Sequence, residues 1–90
     1  MKVLRTPQYW ESLQAIHDHI AIDNPLAAND MWLHIDDQVG SLVDSNFPRR
    51  LGRVQGTYEL VAHPSYVVIL TQRAQTVTVI DVLHTARQYP

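Results

Sequence analysis

Cysteine is absent from the 90-residue sequence, which removes a disulfide framework, a thiolate metal site and a cysteine nucleophile together. No run approaches the roughly 18 to 20 consecutive apolar residues of a membrane span, and the amino terminus lacks the apolar core of a signal peptide. Neither a membrane nor export is expected, and the compartment implied is the cytoplasm. Lysine occurs only at Lys2, so the cations that could accumulate against phosphate are sparse and nucleic-acid binding is expected to be weak. Internal repeats, low-complexity stretches and long linkers are also missing, and a chain this short supports one core, so residues 1–90 are expected to form a single domain.

What is present suits a folded globular protein: 46% of residues are hydrophobic and 18% charged, far from the profile of disorder. A core this small leaves a modest stability margin, which a partner binding the native state can raise. The net charge of -2 conceals an asymmetry. Up to residue 45, seven acids face only Lys2 and Arg5, whereas beyond it Arg49, Arg50, Arg53, Arg73 and Arg87 face only Glu59 and Asp81. A basic half of this kind attracts phosphate or an acidic protein segment, and an acidic half resists being wrapped by nucleic acid.

Thr6-Pro7 is an N-cap followed by a first-turn proline, so a helix is expected from Pro7, with Trp10, Leu13, Ile16 and Ile20 on its apolar face. Asn24-Pro25 repeats the signal, which stops the first helix near Asp23 and opens a second. The second apolar face reads Ala28, Met31, Trp32, Ile35, Val39 and Leu42, and Phe47-Pro48 ends any continuation. So short a connection makes the pair an antiparallel hairpin, with the two tryptophans as packing residues. Asn46 to Gly56, with one proline, two glycines and three arginines, reads as an exposed basic loop. Three strands follow, Thr57 to His63, Tyr66 to Thr71 and Thr76 to Leu83, separated by turns at Pro64-Ser65 and Gln72 to Gln75. Apolar residues on both faces of the last strand place it inside the sheet. With a short strand at Lys2 to Arg5, the expected fold is α+β in the order β-α-α-β-β-β, a helical hairpin packed on a small antiparallel sheet. His17 and His19 are two apart on a helix and point different ways, so no metal site is expected, and nothing calls for a cofactor.

Three stretches resemble the RelE/ParE superfamily of type II toxins: Gly52 to Val61, His63 to Val68, and Val79 to Pro90, which ends in the more specific "VLHTARQYP". The carboxy-terminal segment is closer to the ParE-like members. The resemblance implies a toxin neutralised by a cognate antitoxin, with a higher-order toxin-antitoxin complex as a further expectation. It implies two modes of action: the ParE branch poisons DNA gyrase by binding, and the RelE branch cleaves messenger RNA on the ribosome. The expected mode is ParE-like binding; the alternatives are a RelE-like endoribonuclease and an attenuated toxin that binds only its antitoxin. Attenuation is suggested by two departures, Tyr58 where similar sequences carry arginine and Leu70-Thr71 in place of a Tyr-Arg pair.

Cleavage through a ribose 2′-hydroxyl needs a base, an acid and cations around one phosphate. The residue types available are Arg53, Glu59, His63, His84 and Arg87, of which His63, His84 and Arg87 are the catalytic candidates, the two histidines being expected to approach each other at one sheet end. Target or antitoxin binding is assigned to Arg49, Arg50 and Arg53 beside Phe47 and Leu51, and to Tyr58, His84, Arg87 and Tyr89.

Overall fold

Residues 1–89 are described by a computed structural model, and Pro90 lies outside the described residues. Strand β1 (Lys2–Arg5) leads into helix α1 (Pro7–Ala21) and helix α2 (Pro25–Gly40), which ends in a 3-10 turn at Ser41–Val43. A two-residue strand β2 (Arg50–Leu51) precedes β3 (Tyr58–His63), β4 (Tyr66–Arg73) and β5 (Thr76–His84). Both helix starts form as the sequence indicates. Thr6 Oγ1 accepts from the Tyr9 amide at 3.2 Å and Asn24 Oδ1 from the Ala27 amide at 3.1 Å, each with proline in the first turn.

The sheet order is β1-β5-β4-β3-β2, so β5 is internal as expected. The meander β3-β4-β5 is antiparallel, and β1 joins it parallel to β5, with Lys2 opposite Thr76 and Arg5 opposite Val79. Thr6 ties this junction to the helices, since its hydroxyl also donates to the Ile80 carbonyl at 2.9 Å. The Asn46 to Gly56 loop differs from the expectation by containing β2, where Arg50 pairs with Glu59 and Leu51 with Tyr58. The turn after β4 is also shorter than expected. Arg73 pairs with Thr76, leaving Ala74 and Gln75 as a two-residue loop, and Ala74 takes the left-handed conformation at φ 53°.

The main core lies between the helices and one sheet face. It holds Leu13 from α1, Ala28, Ile35, Val39 and Leu42 from α2 and beyond, and Leu60, Ala62, Val68, Leu70, Val77, Val79 and Val82 from the sheet. On α1 the fully buried aromatic is Tyr9, while Trp10 is 39% exposed and stacks on Trp32 at 6.0 Å. The correction to the expected stripe has a polar cause. The Tyr9 hydroxyl donates to Asp36 Oδ1 at 2.7 Å, and Arg5 Nε donates to the same oxygen at 2.8 Å, so a tyrosine enters the core with its hydroxyl satisfied. Burial first, and the Asp36 carboxylate second, drive its ionisation far above the ordinary tyrosine value. No helix among the described residues is long and apolar enough to cross a membrane.

Candidate functional site

The helices cover one face of the sheet, and strand alternation sends Glu59, Val61, Val67, Ile69 and Leu83 to the other. A second, smaller apolar cluster forms there from Val67, Ile69 and Leu83, and the ring of Tyr89 packs over it. Glu59 lies beside this cluster. Although its strand face carries no helix, the side chain is 2% exposed, because Arg50, Arg53 and Tyr89 close around it.

Register explains the closure. Arg50 stands opposite Glu59 in the β2-β3 ladder, and its Nε and Nη2 reach Oε1 at 3.1 and 3.0 Å. The chain then turns so that the Arg53 amide donates to Oε2 at 3.3 Å, with Arg53 Nε at 3.8 Å from the same oxygen. The Tyr89 hydroxyl donates to Oε2 from the other side, and the Arg53 guanidinium lies over the Tyr89 ring, 4.8 Å from its centroid.

Burial alone pushes the Glu59 carboxyl upward. The hydrogen bonds from Tyr89, Arg50 and the Arg53 amide together outweigh it and hold the group below the usual glutamate range. Burial and the neighbouring carboxylate push the Tyr89 hydroxyl up to about 12. A lowered carboxyl gives stability that is fully present above its unfolded value, near 4.5, and lost as pH falls through the folded value. A raised phenol gives stability that is present below its unfolded value, near 10, and lost as pH rises toward about 12. The contact therefore contributes most across the interval between those two unfolded values. Urea unfolding of the Tyr89→Phe variant is expected to fall less steeply than wild type on the alkaline side; parallel curves would show that the hydroxyl is not engaged.

The two histidine candidates do reach the same sheet end, but Tyr66 stands between them. Ring centroids run His34 to His63 at 6.0 Å, His63 to Tyr66 at 6.0 Å and Tyr66 to His84 at 5.3 Å. The Ser65 amide donates to His63 Nδ1 and the Ala86 amide to His84 Nδ1, each at 3.0 Å. These bonds commit the Nδ1 atom of each ring, as an acceptor, to a turn. Arg87 lies beyond, exposed, beside a groove of about 370 Å³ between α1 and the ends of β4 and β5, lined by His19, Tyr66, His84 and Arg87.

Arg49 is wired into its own loop, donating to the carbonyls of Phe47 at 3.0 Å and Asp44 at 2.6 Å and to Gln72 at 3.1 Å. Among the described residues it meets no carboxylate, and neither do Arg73 and Arg87. Tyr58 sits on the helix side of β3, half-buried against the main core, across the sheet from Glu59 and Tyr89. No group of three or more metal-binding side chains comes together among the described residues.

The structure thus brings Arg50, Arg53 and Tyr89 into one site and leaves Arg49, Tyr58 and the pair His84 and Arg87 at other places. Glu59, an acid-base residue type by sequence alone, is the residue that organises the site. The available signal was an acid on the polar alternation of an otherwise apolar strand, downstream of three arginines.

Comparison with known proteins is consistent with this architecture. The family model of the ParE toxin of type II toxin-antitoxin systems, parDE, matches residues 3–89. A solved chain of the chromosomal ParDE TA system from P. aeruginosa superposes with a TM-score of 0.80 at 20% identity, over 93% of this chain and 95% of that one. At that identity the likeness is one of fold. No curated protein sequence matches.

Proposed function

The chain belongs to the ParE toxin family of type II toxin-antitoxin systems, and from that premise we propose that it acts in the cytoplasm by binding DNA gyrase, is silenced by a cognate antitoxin, and does no covalent chemistry. The observation that carries the binding mode is the dispersal of the groups that cleavage would need. Arg50 and Arg53 are committed to Glu59, and the Nδ1 atoms of His63 and His84 to turns. Glu59 and His63 are four residues apart on one strand, a separation of about 13 Å. Among the described residues, the arginines bound to Glu59 therefore share no space with His84 and Arg87, which line the separate groove beside α1. What remains available to a partner is charge and contact surface: Arg87 at one end of the sheet, Arg49 and Arg73 at the other, and Val61, 48% exposed, between them.

Two reactions on the purified chain test the reading. Gyrase supercoiling of relaxed plasmid is expected to fall with increasing chain, while a translation reaction gains no new messenger ends. New ends with intact supercoiling would replace this reading with RelE-like cleavage. One observation favours a weakened member. Tyr58 packs against the core, and Thr71 pairs with Thr78, so neither position where similar sequences carry a cation supplies one here. If those cations matter, Tyr58→Arg gains growth inhibition; no gain removes attenuation from the account.

A further inference from the structure

We infer that the uncovered sheet face is a receptor for an aromatic side chain carrying a hydrogen-bond donor, that Tyr89 fills it from within the chain, and that the antitoxin binds by putting an aromatic residue of its own in that place. The identity of the competitor rests on the toxin-antitoxin reading above; the receptor itself does not.

The contacts specify the ligand. Val67, Ile69 and Leu83 form an apolar floor separate from the main core, and the partly buried hydrophobic residue packed on it is Tyr89. Arg53 forms a cationic roof over the ring, and Glu59 waits at the ring's edge as a buried acceptor. A carboxylate held below its usual range is ionised and accepts only, so the slot takes a phenol or an indole N–H and rejects an acid. Phenylalanine fills the floor and leaves Glu59 one donor short.

The present occupant is held at its two ends. Thr85 is anchored by its amide to the Ser65 carbonyl at 2.8 Å and by its hydroxyl to the Pro64 carbonyl at 3.1 Å, and the Arg87 amide closes a turn on the His84 carbonyl at 2.9 Å. Beyond Arg87 the described hold is Tyr89 alone, so releasing one side chain frees the strap while β5 stays paired. A competitor also has an approach. A cleft of about 460 Å³ runs beside the short β2, lined by Phe47, Pro48, Arg50, Leu60 and Val61, and reaches Glu59 itself. An incoming segment can lie in this cleft before Tyr89 leaves.

Methyl NMR of the full chain separates the receptor from its competitor. In Tyr89→Ala, millimolar N-acetyltyrosinamide is expected to shift the methyl resonances of Val67, Ile69 and Leu83, with N-acetylphenylalaninamide at least several-fold weaker. Unchanged Leu70 and Val79 resonances establish that the variant is folded. Equal effects of the two probes, or none, overturn the receptor. The polypeptide encoded in the adjoining reading frame is then added to wild type. Contacts between the Tyr89 ring and the Ile69 methyls are expected to vanish, and Tyr89→Phe is expected to bind that polypeptide about tenfold more tightly, the gain from no longer breaking a hydrogen bond to a charged group. Binding with Tyr89 unmoved overturns the displacement alone. No binding at all, with the amide probes behaving as expected, removes the toxin-antitoxin reading and the displacement with it.

Discussion

Glu59→Ala is expected to lower the free energy of unfolding by about 2 to 3 kcal/mol. The carboxylate is buried and accepts from Arg50 Nε, the Arg53 amide and the Tyr89 hydroxyl. Its removal leaves those donors without their acceptor and places two like charges side by side. Breaking a fully buried ion pair from one side costs about 3 to 5 kcal/mol. The guanidinium side chains are 59% and 47% exposed, so they recover hydration and the cost falls below that range. For a domain whose whole stability is on the order of 5 to 10 kcal/mol, the loss is large. Glu59→Gln keeps one acceptor oxygen but turns an amide N–H toward the arginines, so it is expected to fall between alanine and wild type. Urea unfolding checks both variants, and a change in either direction under about 0.5 kcal/mol would mean that Glu59 does not hold the site together.

Ending the chain after His84 is expected to weaken gyrase inhibition by about 100-fold, the effect of removing one or two anchoring side chains from an interface. Arg87 has no carboxylate partner among the described residues, and Tyr89 links the segment to Glu59, so the truncation removes a free cation and the strap that orients it. β5 runs through His84 and keeps its register with Tyr66, so the sheet survives. Antitoxin binding is expected to be retained or strengthened, because the slot is vacated in advance. The concentration of chain that halves supercoiling, measured beside calorimetry with the antitoxin, separates the effects. Equal loss of both would point to misfolding caused by the uncovered Val67, Ile69 and Leu83.

The parts of the fold set by local chemistry were legible in the amino-acid sequence. Thr6-Pro7 and Asn24-Pro25 cap real helices, and the doubly apolar Thr76 to Leu83 run lies inside the sheet. What was not legible depends on partners far along the chain. Tyr9 is core rather than Trp10 because its hydroxyl finds Asp36, 27 residues away. Arg50 and Arg53 read as a free basic loop until β2 brings them to Glu59, and Tyr89 reaches the same carboxylate across 30 residues. Histidines at two strand ends do reach one end of the sheet, but Tyr66 fills the space between them and the turns take their Nδ1 atoms. Composition could say that the second half is basic; which of its arginines are already neutralised is a property of register.

The most direct measurement is the growth of cells producing this polypeptide alone or together with the product of the adjoining reading frame. Arrest in the first case, with supercoiling of plasmid DNA lost from the arrested cells, and normal growth in the second is the expected result. Cells that grow equally well in both, including with Tyr58→Arg in place, would contradict the account.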